Sequence, residues 1–105
     1  MKKYLTELIG TFFLVLIIGL SKNPLAIGFG LTVLVYMGAH ISGAHYNPAV
    51  SLAMLLRKEI TINGFIKYVS SQLLGASLAA YIVSIMSSNM IVQPDLQESV
   101  AIILL

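Results

Sequence analysis

The sequence has 105 residues, of which 58% are hydrophobic and 10% are charged, and its formal net charge is +2. A soluble domain usually carries about a quarter charged residues, so this composition argues against a soluble domain and for a protein whose surface faces lipid. The basic residues form no patch with interleaved aromatic residues, which argues against nucleic-acid binding, and a chain without cysteine gives no indication of redox compartment.

The first long apolar segment covers residues 4–20. It is close to the shortest helix that crosses about 30 Å of hydrocarbon. Lys2 and Lys3 before it and Gly19-Leu20-Ser21 at its end also fit a cleaved signal peptide. Glu7 at the head of the apolar run, and two more long apolar segments downstream, favour a retained transmembrane helix instead.

The second apolar segment covers residues 25–39. We expect Pro24, directly before it, to begin the helix, because proline is favoured at the first helical position. The polar residues after it do not fit a transmembrane span. Pro48 then begins an apolar stretch that ends at Leu56, and as an α-helix this stretch would be roughly 13 Å long. A helix of this length covers only about half of the bilayer, which favours an element that enters and leaves on the same side. We therefore expect a re-entrant loop and half-helix over residues 40–56.

The third long apolar segment covers residues 62–86. Within it, Ser71, Gly75 and Ala79 are small residues at four-residue spacing, which predicts a stripe for close helix packing. Residues 100–105 are apolar again but too short to cross a membrane, and we expect them to begin an incomplete fourth span.

Basic residues predict the orientation of these spans. With the N-terminus in the cytoplasm, five basic residues lie inside and only Lys22 lies outside, which is the expected excess of positive charge in cytoplasmic loops. The five are Lys2, Lys3, Arg57, Lys58 and Lys67. Asp95 and Glu98 would lie outside. We therefore expect an integral protein of the cell (inner) membrane with a cytoplasmic N-terminus.

The short apolar stretch begins with Asn47-Pro48-Ala49, and asparagine followed by proline is favoured at a helix start. Backbone that precedes the cap at membrane depth is tolerated only if it is buried in protein or lines water. The carbonyls of Gly43, Ala44 and His45 are therefore candidate acceptors, and the Asn47 amide is a candidate donor. The partial positive charge of the helix N-terminus disfavours cations. The alternative is an ordinary Asn-Pro turn with no pore function.

Three segments resemble the aquaporin, or major intrinsic protein, family. The run from His40 to Val50, which reads His-Ile-Ser-Gly-Ala-His-Tyr-Asn-Pro-Ala-Val, resembles the family's loop and half-helix. Glu7-Leu8-Ile9-Gly10-Thr11-Phe12 is similar to its first helix, and Gln72-Leu73-Leu74-Gly75-Ala76 is similar to its third helix. The resemblance covers nearly the whole chain, in the family's order.

The resemblance implies an all-α membrane protein with three transmembrane helices plus one re-entrant half-helix. This unit corresponds to one inverted repeat of the aquaporin fold, in which two repeats make six spans and their two Asn-Pro-Ala motifs meet at mid-membrane. Four complete units usually form a tetramer. The implied function is a passive channel for water or small neutral solutes such as glycerol, with no cofactor and no enzymatic activity.

The resemblance also implies roles for individual residues. The residues expected to line the pore are Asn47, Gly43, Ala44, His45, Val50 and Ile27. Ile27 is preferred to Phe29 at the selectivity filter, because the two-residue gap that Phe29 requires would rotate the helix face by about 200°. Asn47, Pro48 and Ala49 would cap the half-helix. Glu7 would brace the re-entrant loop, although from the residues alone it could equally reach the membrane surface.

Other site types are less well supported. His40 and His45 lie five residues apart without a third ligand, so we expect them to make structural hydrogen bonds and not to bind a metal. The sequence also offers no nucleophile–base set and no paired carboxylates, which argues against an enzyme.

A complete family member carries two Asn-Pro-Ala motifs, and this chain has one. Three interpretations follow, in our order of preference: a fragment of a longer channel, a chain that pairs with a separate second half, and a chain that pairs with an inverted copy of itself. The charge bias argues against the last, because dual insertion requires nearly balanced loops. The alternatives to a channel are a small membrane subunit without a pore of its own and a truncated fragment that has no function.

Overall fold

A computed structural model describes residues 1–89, with the backbone alone at the last of them, and the described part contains four α-helices. They are α1 (Lys2–Ser21), α2 (Pro24–Ser42), α3 (Pro48–Leu56) and α4 (Ile62–Asn89). α1, α2 and most of α4 are long and apolar enough to cross a membrane, whereas α3 is not. The predicted fold class, an all-α membrane protein with three spans and one short helix, is confirmed. The predicted segment 100–105, Asp95 and Glu98 lie outside the described residues.

A tight turn makes α1 and α2 antiparallel neighbours. Lys22 ends α1 in the left-handed conformation, with φ 54°, and its N–H donates to the carbonyl of Ile18 at 3.2 Å. Asn23 then caps α2, because its Oδ1 accepts from the N–H groups of Leu25 at 2.9 Å and Ala26 at 3.2 Å. Pro24 fits the first helical position because its missing N–H is not needed there.

The observed helix ends differ from the predicted spans. α2 continues to Ser42 instead of ending at residue 39, because polar side chains do not interrupt a helical backbone. It ends where Gly43 adopts φ 89° and donates its N–H to the carbonyl of Ala39 at 2.9 Å. Glycine adopts this left-handed conformation without steric cost, which is why it commonly ends helices. α1 and α4 likewise extend past the predicted ranges 4–20 and 62–86.

α1 and α4 run parallel and form the main helix pair. Tyr4 contacts Tyr68 near the start of both helices, with ring centroids 5.5 Å apart. Gly19 faces Val83 near the other end. The core of the described region lies between the two helices and contains Val15, Ala76, Ala79 and Val83. α2 packs on α1, and α3 packs on α4.

The small residues of α4 allow this close approach. A Cβ atom added at Gly75 would collide with the backbone carbonyl of Leu8, and Ala79 is fully buried. Ser71 is only half-buried and donates to the carbonyl of Lys67 at 3.0 Å. The buried face of a helix follows alternating three- and four-residue steps because a turn takes 3.6 residues. A strict four-residue stripe therefore drifts off that face at Ser71.

Five of the six basic residues lie at one end of the helix bundle. Lys2 and Lys3 begin α1, and Lys67 lies in the second turn of α4. Arg57 and Lys58 follow α3 in the short connection to α4. Lys22 lies at the opposite end, in the turn between α1 and α2. The membrane faces of this fold therefore differ strongly in charge.

Replacing Gly75 with alanine is expected to destabilise the α1–α4 pair by about 1–3 kcal/mol, because the added methyl group meets rigid backbone at Leu8. Gly28→Ala is the matched control, since a Cβ atom there meets nothing within 4 Å. Unfolding of both variants in detergent, followed by circular dichroism against denaturant concentration, tests the expectation. Equal stability of the two variants would contradict tight packing at Gly75.

Candidate functional site

The loop between α2 and α3 has an unusual backbone. Gly43, Ala44 and Tyr46 all have positive φ, at 89°, 53° and 59°. Glycine adopts such angles readily, but alanine and especially tyrosine do so at a cost, and the surrounding structure must stabilise them. These left-handed residues turn the chain away from a helical path, so the loop's carbonyls cannot form the regular hydrogen bonds of a helix.

The carboxylate of Glu7 on α1 holds this loop. Its side chain is fully buried, at 0% exposure. Oε1 accepts from the Tyr46 N–H at 2.8 Å, and Oε2 accepts from the His45 N–H at 3.1 Å and the Ser42 hydroxyl at 2.6 Å. Hydrogen bonds to a charged acceptor are stronger than neutral ones, and several of them are needed to offset the burial of a charge.

Gln72 on α4 completes the carboxylate's partners and connects it to α3. Its Nε2 donates to Glu7 Oε1 and to Ser51 Oγ, each at 2.9 Å. Ser51 Oγ also lies 2.8 Å from His45 Nδ1. Because an ionised carboxylate only accepts, the amide must turn its NH₂ towards Glu7, which leaves the buried Gln72 Oε1 without a partner among the described residues.

Two hydroxyl groups fix the carbonyls on either side of the loop. Tyr68 on α4 donates to the carbonyl of Ser42, and Thr11 on α1 donates to the carbonyl of Tyr46 at 3.2 Å. The Tyr68 ring also stacks on the His45 ring, with centroids 4.2 Å apart and an interplanar angle of 16°. Both ends of the loop are thereby anchored to α1 and α4.

Tyr46 fills the space between α1 and α2. Its ring lies where a Cβ atom at Gly10 would be, and its hydroxyl lies where one at Gly38 would be. That hydroxyl donates to the carbonyl of Leu34 at 2.7 Å. Glycine at both positions is therefore a steric requirement of the loop's aromatic anchor.

The N-terminus of α3 follows directly from this loop. Asn47 is its cap, with extended backbone at φ −158° and ψ 155°, and its Oδ1 accepts from the Val50 N–H at 3.0 Å. Pro48 occupies the first helical position. This cap uses the amide oxygen and leaves the Asn47 Nδ2 without a partner among residues 1–89.

The loop also leaves three consecutive backbone acceptors unused. Within the described part of the chain, the carbonyls of Gly43, Ala44 and His45 receive no hydrogen bond. Their neighbours at Ser42 and Tyr46 do. Unpaired backbone at membrane depth is unfavourable unless water or a solute satisfies it. The arrangement can therefore supply a row of acceptors beside one amide donor.

The predicted site residues are unevenly distributed. Glu7 contacts the loop, and the half-buried Val50 follows the cap in the first turn of α3. Ile27 is half-buried near the start of α2. It lies roughly 22 Å along the helix axis from Ser42, where the loop begins. No contact of Ile27 with the loop is observed among the described residues.

Sequence reasoning missed most of the loop's supports. Ser42, Thr11, Ser51, Tyr68 and Gln72 all bond to the loop or to its carboxylate. The available signal was their polarity within apolar helices, since polar groups buried in a membrane protein need partners. Within residues 1–89, no three histidine or acidic side chains converge to hold a metal ion.

Comparison with known proteins adds independent information. Residues 1–103 match the sequence profile of the family described as Major intrinsic protein. The chain is 39% identical over 89 residues to Glycerol uptake facilitator protein-like 6 of Lactiplantibacillus plantarum, covering 76% of this chain and 41% of that protein. It is 34% identical over 102 residues to Aquaporin Z of Rhodopseudomonas palustris, covering 83% and 42%. It is 40% identical over 70 residues to Aquaporin-1 of Rattus norvegicus, covering 67% and 26%. The chain thus spans less than half the length of these relatives. The match to the family profile confirms the resemblance that the sequence motifs indicate.

Glu7→Gln is expected to loosen the loop. Each carboxylate oxygen of Glu7 accepts from two donors, and the NH₂ group that replaces one of these oxygens cannot accept a hydrogen bond. Losing hydrogen bonds to a buried charge costs about 1.5–3 kcal/mol each, so local opening should increase at least tenfold. The chain has no cysteine, so Ala44→Cys gives one reporter, and its rate of thiol labelling measures the opening.

The matched control is Glu59→Gln, which makes the same change at an exposed side chain. We expect the labelling rate of the Ala44→Cys reporter to be unchanged in that background. Equal labelling rates in both backgrounds would show that Glu7 does not hold the loop.

Proposed function

Because this chain belongs to the major intrinsic protein family, we propose that it supplies one half of a passive membrane channel for water or small uncharged solutes. The observation that carries the proposal is the row of unused carbonyls at Gly43, Ala44 and His45 beside the Asn47 amide. The names of these relatives, aquaporins and a glycerol uptake facilitator, include both kinds of cargo. We propose neither one over the other.

The acceptors and the donor suit a neutral solute that makes hydrogen bonds. Water and small alcohols carry both a donor and an acceptor, so they can donate to the three carbonyls in turn and accept from Asn47 Nδ2. The Asn47 Oδ1 is held by the Val50 N–H, which orients the NH₂ group away from the helix. The rigid attachment of the loop to Glu7 keeps these groups in place as solutes pass.

The N-terminus of α3 favours uncharged cargo. The aligned peptide dipoles of a helix give its N-terminus about half a positive charge. The nearby Glu7 carboxylate accepts from the N–H groups of His45 and Tyr46 and makes no hydrogen bond with the Asn47 cap itself. Cations and protons would be repelled there, as they are by half-helix dipoles in other pores. Val50 in the first turn would form part of the apolar wall. Ile27 is proposed for the selectivity filter, nearer the opposite membrane face.

A second half is needed to enclose this path. The carbonyls of Gly43, Ala44 and His45 have no partner among the described residues, and an aqueous path inside a bilayer must be closed by protein. We propose that a second repeat, inserted in the inverted orientation, provides the opposing half-helix, and that complete units assemble as tetramers. The basic end of the bundle, with Lys2, Lys3 and Lys67, would lie on the cytoplasmic side of the cell (inner) membrane.

The alternative of a pore-less subunit has less support. The feature of the sequence compatible with it is the small-residue stripe of α4, if that stripe packs against another protein. In the structure, Gly75 and Ala79 face α1 of the same chain, so the stripe is already occupied. Only Ser71 lies toward the outside.

Asn47→Asp is expected to lower the osmotic permeability of vesicles that contain the complete assembly by at least tenfold. Aspartate keeps the capping oxygen but removes the NH₂ donor and places a charge in the path. Asn23→Asp is the matched control, because Asn23 caps α2 in the same way at an exposed turn. Stopped-flow light scattering measures the rate of vesicle shrinkage.

Unchanged permeability in Asn47→Asp would remove this residue from the mechanism. The assembly itself is identified by affinity purification of the tagged chain from detergent. Co-purification of a second protein with an Asn-Pro-Ala motif supports a split channel. An unrelated partner, with no solute flux, would contradict the channel proposal.

A further inference from the structure

A groove of about 410 Å³ lies between the starts of α1 and α4. It is lined by Met1, Tyr4, Ile66, Lys67, Ser70 and Ser71. None of these residues is a hydrogen-bond partner of Glu7, and the proposed channel uses none of them. The groove lies at the first turn of α1 and the second and third turns of α4, near the ends of two candidate membrane spans, where we expect lipid headgroups.

One part of the groove carries hydrogen-bond donors. The Lys67 ammonium lies 5.8 Å from the centroid of the Tyr4 ring, and no carboxylate in the described part of the chain pairs with it. The Ser70 hydroxyl is exposed and has no partner within residues 1–89. An ammonium, a serine hydroxyl and a phenol together suit an acceptor with several oxygens, such as a phosphate group. Ile66, in contrast, presents an apolar side chain.

The surrounding charge favours an anionic partner. Lys2, Lys3, Arg57 and Lys58 lie at the same end of the bundle as Lys67. The acidic side chains described at this end are Glu59, which lies 4.0 Å from Arg57, and the buried Glu7, which already has its donors. Basic residues near the surface of a membrane attract anionic lipids, by about 1 kcal/mol each.

We infer that this groove binds an anionic glycerophospholipid. The phosphate accepts hydrogen bonds from Lys67 and Ser70, and an acyl chain lies along Ile66 in the hydrocarbon. A lipid is favoured over soluble phosphate because the groove combines donors with an apolar wall at the level of the headgroups. The inference depends on membrane insertion and not on the proposed channel, so loss of solute flux would leave it intact.

Tryptophan fluorescence tests the inference directly. The chain has no tryptophan, so Ile66→Trp places a single reporter in the groove. The full chain is reconstituted into vesicles in which either phosphatidylglycerol or phosphatidylcholine carries bromine on its acyl chains. Quenching by the brominated lipid measures its occupancy beside the reporter. We expect phosphatidylglycerol to bind about fivefold more tightly than phosphatidylcholine.

Two further variants separate a specific site from general attraction. In the Ile66→Trp background, Lys67→Gln should remove most of the preference, whereas Lys67→Arg should keep it. Lys58→Gln makes the same charge change on the same membrane face but outside the groove, and should lower the preference much less. Equal quenching by the two lipids in the parent, or an equal loss of preference in Lys58→Gln and Lys67→Gln, would overturn the inference.

Discussion

The buried carboxylate of Glu7 is the interaction on which the rest of this structure depends. It accepts from two backbone N–H groups of the loop, from the Ser42 hydroxyl and from Gln72, so one side chain connects α1, the end of α2, the loop and α4. A buried charge without such partners would be strongly destabilising. Its position therefore requires the loop to present N–H donors to it, and the carbonyls of Gly43, Ala44 and His45 are left without partners among the described residues.

Close helix packing makes this arrangement possible. The carboxylate reaches Gln72 only because α1 and α4 approach until the carbonyl of Leu8 meets Gly75. The loop fits only because Tyr46 occupies the space that Gly10 and Gly38 leave open. Small residues and the buried carboxylate therefore act together: the glycines set the distances between helices, and the hydrogen bonds of Glu7 use those distances.

The sequence predicts the elements better than their connections. The three apolar segments and the short helix after Asn47-Pro48 follow from hydropathy and capping chemistry, which are local properties. Hydropathy predicts an end of α2 at residue 39, because hydropathy falls at His40, but the backbone hydrogen bonds of the helix continue to Ser42. Gln72 lies 65 residues from the carboxylate it contacts, and no local pattern encodes such a pairing. For Glu7, the residues alone left surface exposure open, and the family resemblance favoured the loop.

The central claim is that α3 is a half-helix whose N-terminus lies deep in the bilayer while its other end returns to the surface. Spin labels at Ala49→Cys, Leu56→Cys and Ile62→Cys, in chains reconstituted in lipid, report depth through their relative accessibility to oxygen and to a water-soluble nickel complex. The account predicts that the label at position 49 lies roughly 10 Å deeper than the label at position 56. The labels at positions 56 and 62 should lie at similar depth near one membrane face. Equal depths at positions 49 and 56, or labels at positions 56 and 62 on opposite faces, would contradict it.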